Sequence, residues 1–546
     1  MKSNVNVKFP LNVHLGNVGG NHRMLDMKKH KLNSECSGCC ITRRQFLAGC
    51  AMCTGAVAIW GMPRPVRAAG NEGKVRIRIV YSLHAAKQPG PDWPNVGFDF
   101  EPVMNWINTT LANRCQGFDF VPSMANGPEQ AKKILEQDKT WGIDGYLVYQ
   151  MNCWNRVVQT IATSGKPVLY ADFLYAGSGG FLVYTADFLR NKTPNVGFVT
   201  SSRIDDLVEA VKYFELVKKG GPVSEFVAAT AKVRMARTAK SGDTTCKPDE
   251  LKAISAKECL KRMKESKILA VRDQNSGPAA SIMGIPVEHV SFAEVNEAWK
   301  AADKDEAEDV ADRWTKNADK VEGVSRETLE QSAAMYLAQK TVLKKHGANA
   351  ISINCLGGFY GGHIHAYPCL GFHELLNEGL VGGCECDLRS AATMVTVGAL
   401  AQGRPGFISD PVIDTAKRQI IYAHCVAPNR MFGPKGQTNP YEILTHSEDR
   451  QGASVRSILP VGYMTTTLEF AQEKKEVLFH QGKAVDNDRN DRACRTKLAV
   501  EPVGDLEKLF TEWDRWGWHR VTFYGNLKEP VYELADALGY KVTEEA

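Results

Sequence analysis

Between Tyr367 and Pro411 the chain carries acidic residues where packing calls for apolar ones. Glu385 and Asp387 stand two residues apart inside Gly383-Cys384-Glu385-Cys386-Asp387, just ahead of an apolar helical run. Asp410 follows that run across a short strand. Carboxylates at the two ends of one helical unit can grip a hard divalent cation or pass protons. Extended backbone through 383–387 points Glu385 and Asp387 to one side and Cys384 and Cys386 to the other. Asp387 also suits an N-cap, which accepts from the orphan N–H groups of a helix's first turn. A cap does not account for Glu385. Asp410 precedes Pro411, and Asp-Pro is also a common turn starter. His519 follows Trp513, Trp516 and Trp518 and opens a strand, Val521-Thr522-Phe523-Tyr524; the plain alternative is a packed surface histidine.

Further candidates lie nearby. The loop Gly357-Gly358-Phe359-Tyr360-Gly361-Gly362-His363-Ile364-His365 carries an HxH pair. With Cys384 and Cys386 this pair could form a soft zinc site. The same loop could instead present His and Tyr to a bound ligand, or be plain loop. His424 falls at a strand end, within reach of a bound substrate.

Composition narrows the function classes. At 546 residues the chain is long for one domain, and its apolar (43%) and charged (24%) fractions are those of a globular protein. Residues 1–69 hold ten Lys and Arg against two Asp and Glu, and the rest holds 57 basic and 60 acidic residues. The formal charge of +5 is therefore a property of the leader, and no basic body argues for nucleic acid. Thr42-Arg43-Arg44-Gln45-Phe46-Leu47 resembles the twin-arginine export signal. An apolar run from Phe46 to Trp60 and a cleavage-like stretch, Pro63 to Ala69, follow it. That run is shorter than the roughly 20 residues of a membrane span. Leu47-Ala48-Gly49-Cys50 looks like a lipoprotein box but lies too close to the arginines. The expectation is export, to the periplasm or another extracytoplasmic space. Ten of the fifteen cysteines lie beyond the leader, with no CxxC…CxxC framework.

The elements that must position these residues alternate. From Val75 to Lys218, strand-like runs such as Val75–Tyr81, Gly142–Tyr149 and Pro167–Tyr170 are separated by helical runs, one with Val103, Trp106 and Ile107 on a face. Such alternation predicts a parallel sheet with helices on both sides. No GxGxxG follows the first strand, so a dinucleotide site is unsupported. Residues 219–355 repeat the pattern more loosely. Glu294 to Lys320 reads as a charged helix, and Ser325 to Lys345 as a helix capped by Ser325 and stopped by Gly347. Beyond 386 come one apolar helix, many short strands and a final strand–helix pair. The expected fold class is α/β, with two doubly wound Rossmann-like units (70–222 and 223–384) after the signal region (1–69). A C-terminal α+β domain (385–546) completes a metal site.

Pro368-Cys369, Glu378-Gly379, Cys384 to Asp387, Gly403-Arg404-Pro405 and Asp410 together resemble the L-fucose isomerase-like branch of the fucose/arabinose isomerases. So do Tyr422-Ala423-His424-Cys425, Cys494-Arg495-Thr496, the segment Gly517 to Gly525 and the run Leu534 to Lys541. The resemblance is clearest over 350–546. It implies a manganese ion held by Glu385, Asp410 and His519, with the two carboxylates also moving protons through an enediol during aldose–ketose isomerisation. Asp387, His424, His365 and Trp518 are the candidate substrate contacts. The resemblance further implies a sugar substrate and a homo-oligomer, trimer or hexamer; the export signal adds the twin-arginine machinery as a partner. An export signal departs from the family's usual cytoplasmic work. Two rivals stand beside the isomerase. One is epimerisation or carbon–carbon cleavage on the same scaffold; the other is a non-catalytic exported sugar-binding protein.

Overall fold

The computed structural model describes residues 73–546. The signal region, and with it the export reading, lies outside the described residues. Five strands form the first sheet: β1 (Val75–Ser82), β2 (Phe118–Ala125), β3 (Gly145–Gln150), β4 (Val168–Asp172) and β5 (Val196–Val199). All pair in parallel, in the order β2-β1-β3-β4-β5. Both faces are covered, because alternate side chains enter different cores. Ile77, Ile79 and Tyr81 pack with Met104, Ile107 and Leu111. Val80, Tyr146 and Val148 pack with Ile134 and Val158. Strands buried on two faces read as continuous apolar runs, as β3 does. Trp106 departs from the expected helix face. The helix Glu101–Arg114 buries Met104, Ile107 and Leu111, and Trp106 is 54% exposed.

The second sheet holds β6 (Ile268–Arg272), β7 (Gly277–Ile282), β8 (Ile285–Ser291), β10 (Ala350–Ile353) and β11 (Val381–Gly383), in the order β11-β10-β6-β8-β7. It is parallel except for β7, an antiparallel edge strand. The charged run after Glu294 is two helices, Phe292–Lys300 and Lys304–Asn317. They divide at Asp303, whose side chain caps the second by accepting from Glu306 N at 2.9 Å. Ser325 caps Arg326–His346 as expected, and Gly347 ends it with φ +57°. A small sheet joins β9 (Lys320–Glu322), β14 (Tyr441–Leu444) and β15 (Ser454–Ser457).

The C-terminal part is more specific than an α+β domain. Strands β12 (Gly406–Asp414), β13 (Gln419–His424), β16 (Met464–Ala471), β17 (Glu476–Asn487), β18 (Thr496–Val503) and β19 (Arg520–Tyr524) pair antiparallel in the order β16-β19-β12-β13-β18-β17. Pairing of β16 with β17 closes the ring into a six-stranded barrel, and β20 (Lys541–Glu544) adds to β17 outside it. Closure removes the sheet edges that short strands would otherwise expose. The helix Leu388–Leu400 is wedged between barrel and second sheet. Ala391, Ala392, Val395 and Val397 share a cluster with Ile268 and Ala270 on one side and Leu468, Phe470 and Phe523 on the other. Among the described residues no helix is long and apolar enough to cross a membrane.

Candidate metal centre

Three neighbouring barrel strands and one turn converge on a single point. Asp410 on β12 pairs with Ala423 on β13, one residue before His424. Ser409 pairs with Arg520 on β19, one residue after His519. Asp410, His424 and His519 thus fall within one step of the same barrel level. All three are nearly fully buried. Arg520 fixes the segment carrying His519: its guanidinium donates to the carbonyls of Gly517 and His519 and to Glu545, over the Trp513 ring.

Glu385 arrives from the turn between β11 and the helix Leu388–Leu400. The backbone here is not extended. Glu385 and Cys386 both adopt left-handed conformations, with φ +59° and +50°. The turn swings Glu385 back over the barrel mouth and ends at Asp387, which begins the helix. Asp387 Oδ1 accepts from Arg389 N (3.0 Å) and Ser390 N (3.1 Å), the expected cap. Its Oδ2 lies 2.9 Å from His519 Nδ1. One carboxylate therefore starts the helix and orients the imidazole. With the proton on Nδ1, His519 turns a bare Nε2 toward Asp410 Oδ1 at 3.1 Å and Glu385 Oε2 at 3.4 Å. His424 Nε2 stands 3.8 Å from Glu385 and 4.0 Å from Asp410.

Glu385, Asp410, His424 and His519 can each offer a ligand atom, all within 4.8 Å of one another. Among the described residues, Nε2 of His519 and both ring nitrogens of His424 are buried without a hydrogen-bond partner. Unpaired buried polar atoms are costly. A divalent cation among them would satisfy the imidazoles and neutralise the carboxylates, and two oxygens with two imidazole nitrogens are donors that a divalent cation takes. The residues present fit such an ion. Without one, burial opposes a charge on His519, but Glu385, Asp387 and Asp410 outweigh it and hold the imidazole well above its usual range. Burial pushes the Glu385 carboxyl up, and the facing His519 and His424 bring it below its ordinary value.

The cluster opens into a cavity of about 490 Å³. Trp518 lines it, donates from Nε1 to Asp410, and meets Trp154 edge-on at 5.6 Å. Gly179 makes room for this indole, since a Cβ there would lie 2.7 Å from the Trp518 ring. Sequence reasoning missed several lining groups: Trp93 and Trp154 from the loops after β1 and β3, and His446 and Glu448 from the loop after β14. Burial raises Glu448 to about 7. His446 is held at about 9, where burial works against the charge and Asp449 and its neighbours win. The cluster His-Ser-Glu-Asp at 446–449 was the available signal. Glu469 was also missed; it is a buried acid beneath Ser390 and Thr393, and burial keeps it well above its usual range.

The soft zinc arrangement is not assembled. His363 stacks on Phe292 at 5.6 Å and His365 leans on Trp299 at 6.0 Å, both exposed. Cys384 faces Cys355, with sulfurs 3.1 Å apart, and Cys386 accepts from Arg272 Nε at 3.1 Å. The left-handed pair 385–386 breaks the alternation that would have set both thiols on one side. Of the expected substrate contacts, His424 and Trp518 line the cavity, Asp387 stands behind His519, and His365 lies apart.

No family model matches the chain. Proteins from Priestia aryabhattai and Priestia megaterium, both named sulfoquinovose isomerase, are 23% identical to it over 308 residues, 53% of this chain and 66% of theirs. This chain is similar to sugar isomerases. A third relative of that name, from Alkalicoccus urumqiensis, is 25% identical over 220 residues, 40% of this chain and 49% of its own. The likeness spans just under two thirds of the first two relatives' length. A solved structure described as XylFII molecule aligns over 62% of this chain and 98% of its own, at 11% identity and a TM-score of 0.15, too slight to carry an argument.

Proposed function

We propose that the protein is an aldose–ketose isomerase of sugars, working through an enediol, with Mn²⁺ held by Glu385, Asp410 and His519 and faced by His424. The observation that carries this reading is the cluster of two carboxylates and two buried imidazoles, His519 with a free Nε2 and His424 with both ring nitrogens unpartnered among the described residues, at the floor of an aromatic-walled cavity. The similarity to proteins named sulfoquinovose isomerase supports it. A divalent cation held there would supply Lewis-acid polarisation of a sugar carbonyl, which would acidify the C–H on the adjoining hydroxyl-bearing carbon. The chain's own residues do the rest. Asp387 keeps the His519 proton on Nδ1 and so keeps Nε2 facing the cavity. Trp518 holds Asp410 by its indole N–H, and the Trp154 and Trp518 faces suit the C–H side of a sugar ring. Glu385, on the open side of the cluster, is placed to take a proton from one carbon and return it to the next. Glu448, with a carboxyl near neutrality, is placed to exchange protons with the substrate oxygens.

We further propose that the protein assembles as a trimer or hexamer and is exported by the twin-arginine route. Light scattering of the purified chain and fractionation of its source cells test these two points. The enzymatic reading is tested by incubating the protein with Mn²⁺ and a panel of aldoses, sulfoquinovose included, in D₂O. Deuterium at C1 or C2, in the aldose or the ketose, is the expected result. A panel with no exchange under saturating Mn²⁺ defeats the reading.

A further inference from the structure

A second cavity, of about 310 Å³, lies on the same side of the first sheet as the metal centre. Its floor is the carboxyl ends of β3, β4 and β5, the usual place for ligands in open parallel sheets. Its roof is barrel: the β12–β13 turn with Asp414 and Lys417, and the segment Asp488–Arg492 after β17.

The charge in this cavity is unbalanced locally. The Arg492 guanidinium lies 4.1 Å above the Phe173 ring, and Nε donates to Asn490 Oδ1 at 3.1 Å. Its two terminal nitrogens have no hydrogen-bond partner, and no carboxylate stands within ion-pair distance, among the described residues. The nearby acids are otherwise engaged. Asp488 accepts from the Tyr175 hydroxyl (2.6 Å) and Asn490 N (2.8 Å). Asp414 accepts from Ser202 N and Ala416 N, each at 3.0 Å. Asp172 accepts on Oδ2 from Ser178 Oγ at 2.7 Å, while its Oδ1 is buried with no partner. The N-terminus of the helix Ile204–Val211, which carries Asp205 and Asp206 in its first turn, borders the cavity.

We propose that this cavity is a second ligand site, for a small polyol carrying one oxyanion. Each alternative leaves something unpaired. A neutral sugar would shut solvent away from the guanidinium fork without supplying a charged partner, and a dry, unpaired charge is costly. An apolar ligand leaves the fork and Asp172 Oδ1 empty. A bare inorganic anion meets the fork but neither fills the space nor reaches Asp172. A hydroxylated chain of five or six carbons ending in carboxylate or phosphate meets all three demands. Its oxyanion takes the two free nitrogens of Arg492 as a bidentate pair. Its hydroxyls meet Asp172, and its C–H face lies along Ile107 and Trp106.

The test is calorimetry on the whole protein with D-gluconate and D-glucose 6-phosphate, and D-glucose as the neutral control. At least one oxyanion probe should bind one to one. Arg492→Gln should weaken it by about tenfold or more, the expected scale for a lost charged hydrogen bond. Arg492→Lys, which keeps the charge without the fork, should weaken it less. Glu385→Gln should leave it unchanged, which locates the binding outside the metal cavity whatever the chemistry there. If Arg492→Gln does not fold, hydrogen exchange on the wild type replaces it, with protection expected at 199–207 and 488–492. With the metal cavity disabled by Glu385→Gln, the proposal is overturned by D-glucose binding as well as the probes, or by binding that survives the added Arg492→Gln. Loss of binding in Glu385→Gln, absence of that protection, or no saturable binding of either probe below about 10 mM also overturns it.

Discussion

An imidazole and a guanidinium stand by cavities on the same edge of the first sheet, and their surroundings are opposite. His519 has three carboxylates within 3.4 Å. Among the described residues Arg492 has none within ion-pair reach, although Asp172, Asp414 and Asp488 line its cavity. The first surplus is negative and calls for a metal cation; the second is a positive point and calls for an oxyanion. Both arrangements use barrel loops laid over the ends of parallel strands. The sheet supplies the place, and the side chains of the barrel decide the sign.

The largest test of this contrast is at Glu385. Glu385→Gln keeps the shape and removes the charge. It should abolish tight Mn²⁺ binding and lower deuterium exchange by about a thousandfold, within the span of a lost acid–base group. Retained Mn²⁺ affinity, read by electron paramagnetic resonance, would remove Glu385 from the ligand set. Asp387→Asn comes next. Asparagine caps a helix about as well as aspartate, so the melting temperature should move little. Mn²⁺ affinity should fall about ten- to a hundredfold, because His519 loses its charged orienting partner. Equal losses of stability and affinity would make Asp387 only a cap.

On the other side of the comparison, Asp172 is raised to about 7, chiefly by burial, with Ser178, Thr200 and Arg492 opposing. The unfolded chain releases that proton near pH ~4. Between about pH 4 and 7 the folded state therefore binds more protons than the unfolded one, and stability falls as pH rises. Asp172→Asn has no such proton. Its melting temperature should exceed the wild type's most at pH 8, with the gap narrowing steadily as pH falls to about 4, where the two converge; a difference independent of pH would falsify the assignment. Gly179→Ala should cost about 1–3 kcal/mol, because the new methyl meets the Trp518 ring at 2.7 Å. It should also weaken sugar binding, read as a higher KM. The smallest effect is expected at His365, which leans on Trp299 away from both cavities. His365→Ala should leave exchange and Mn²⁺ affinity within error, and a loss of either would bring the HxH loop into the site.

Much of the first cavity was legible because its signals are local. Asp387 ahead of Leu-Arg-Ser-Ala-Ala reads as a cap and is one. Convergence of Glu385, Asp410 and His519 was not local, and family resemblance supplied it. The left-handed turn at 385–386 left no glycine to announce it. Closure of the barrel depends on β16 meeting β17 around a ring of six strands, which short alternating runs do not encode one at a time. The helix Ser178–Arg190 was missed for a related reason. Its glycines at 179 and 180 resemble a loop, but they admit Trp518 and the Cys153–Trp154 backbone against the helix. Arg492 drew no attention because its meaning lies in the partners it lacks.

The left-handed turn has a consequence for how this chain can age. A side chain other than glycine or asparagine costs about 1–2 kcal/mol in that conformation, and Glu385 and Cys386 occupy it in succession. Glycine at 385 would relax the backbone while discarding the carboxylate. A copy of the protein released from its task would thus drift downhill toward a firmer, idle molecule, and position 385 would be among the first to go. On the proposed reading, the carboxylate is what position 385 gains in return for that strain.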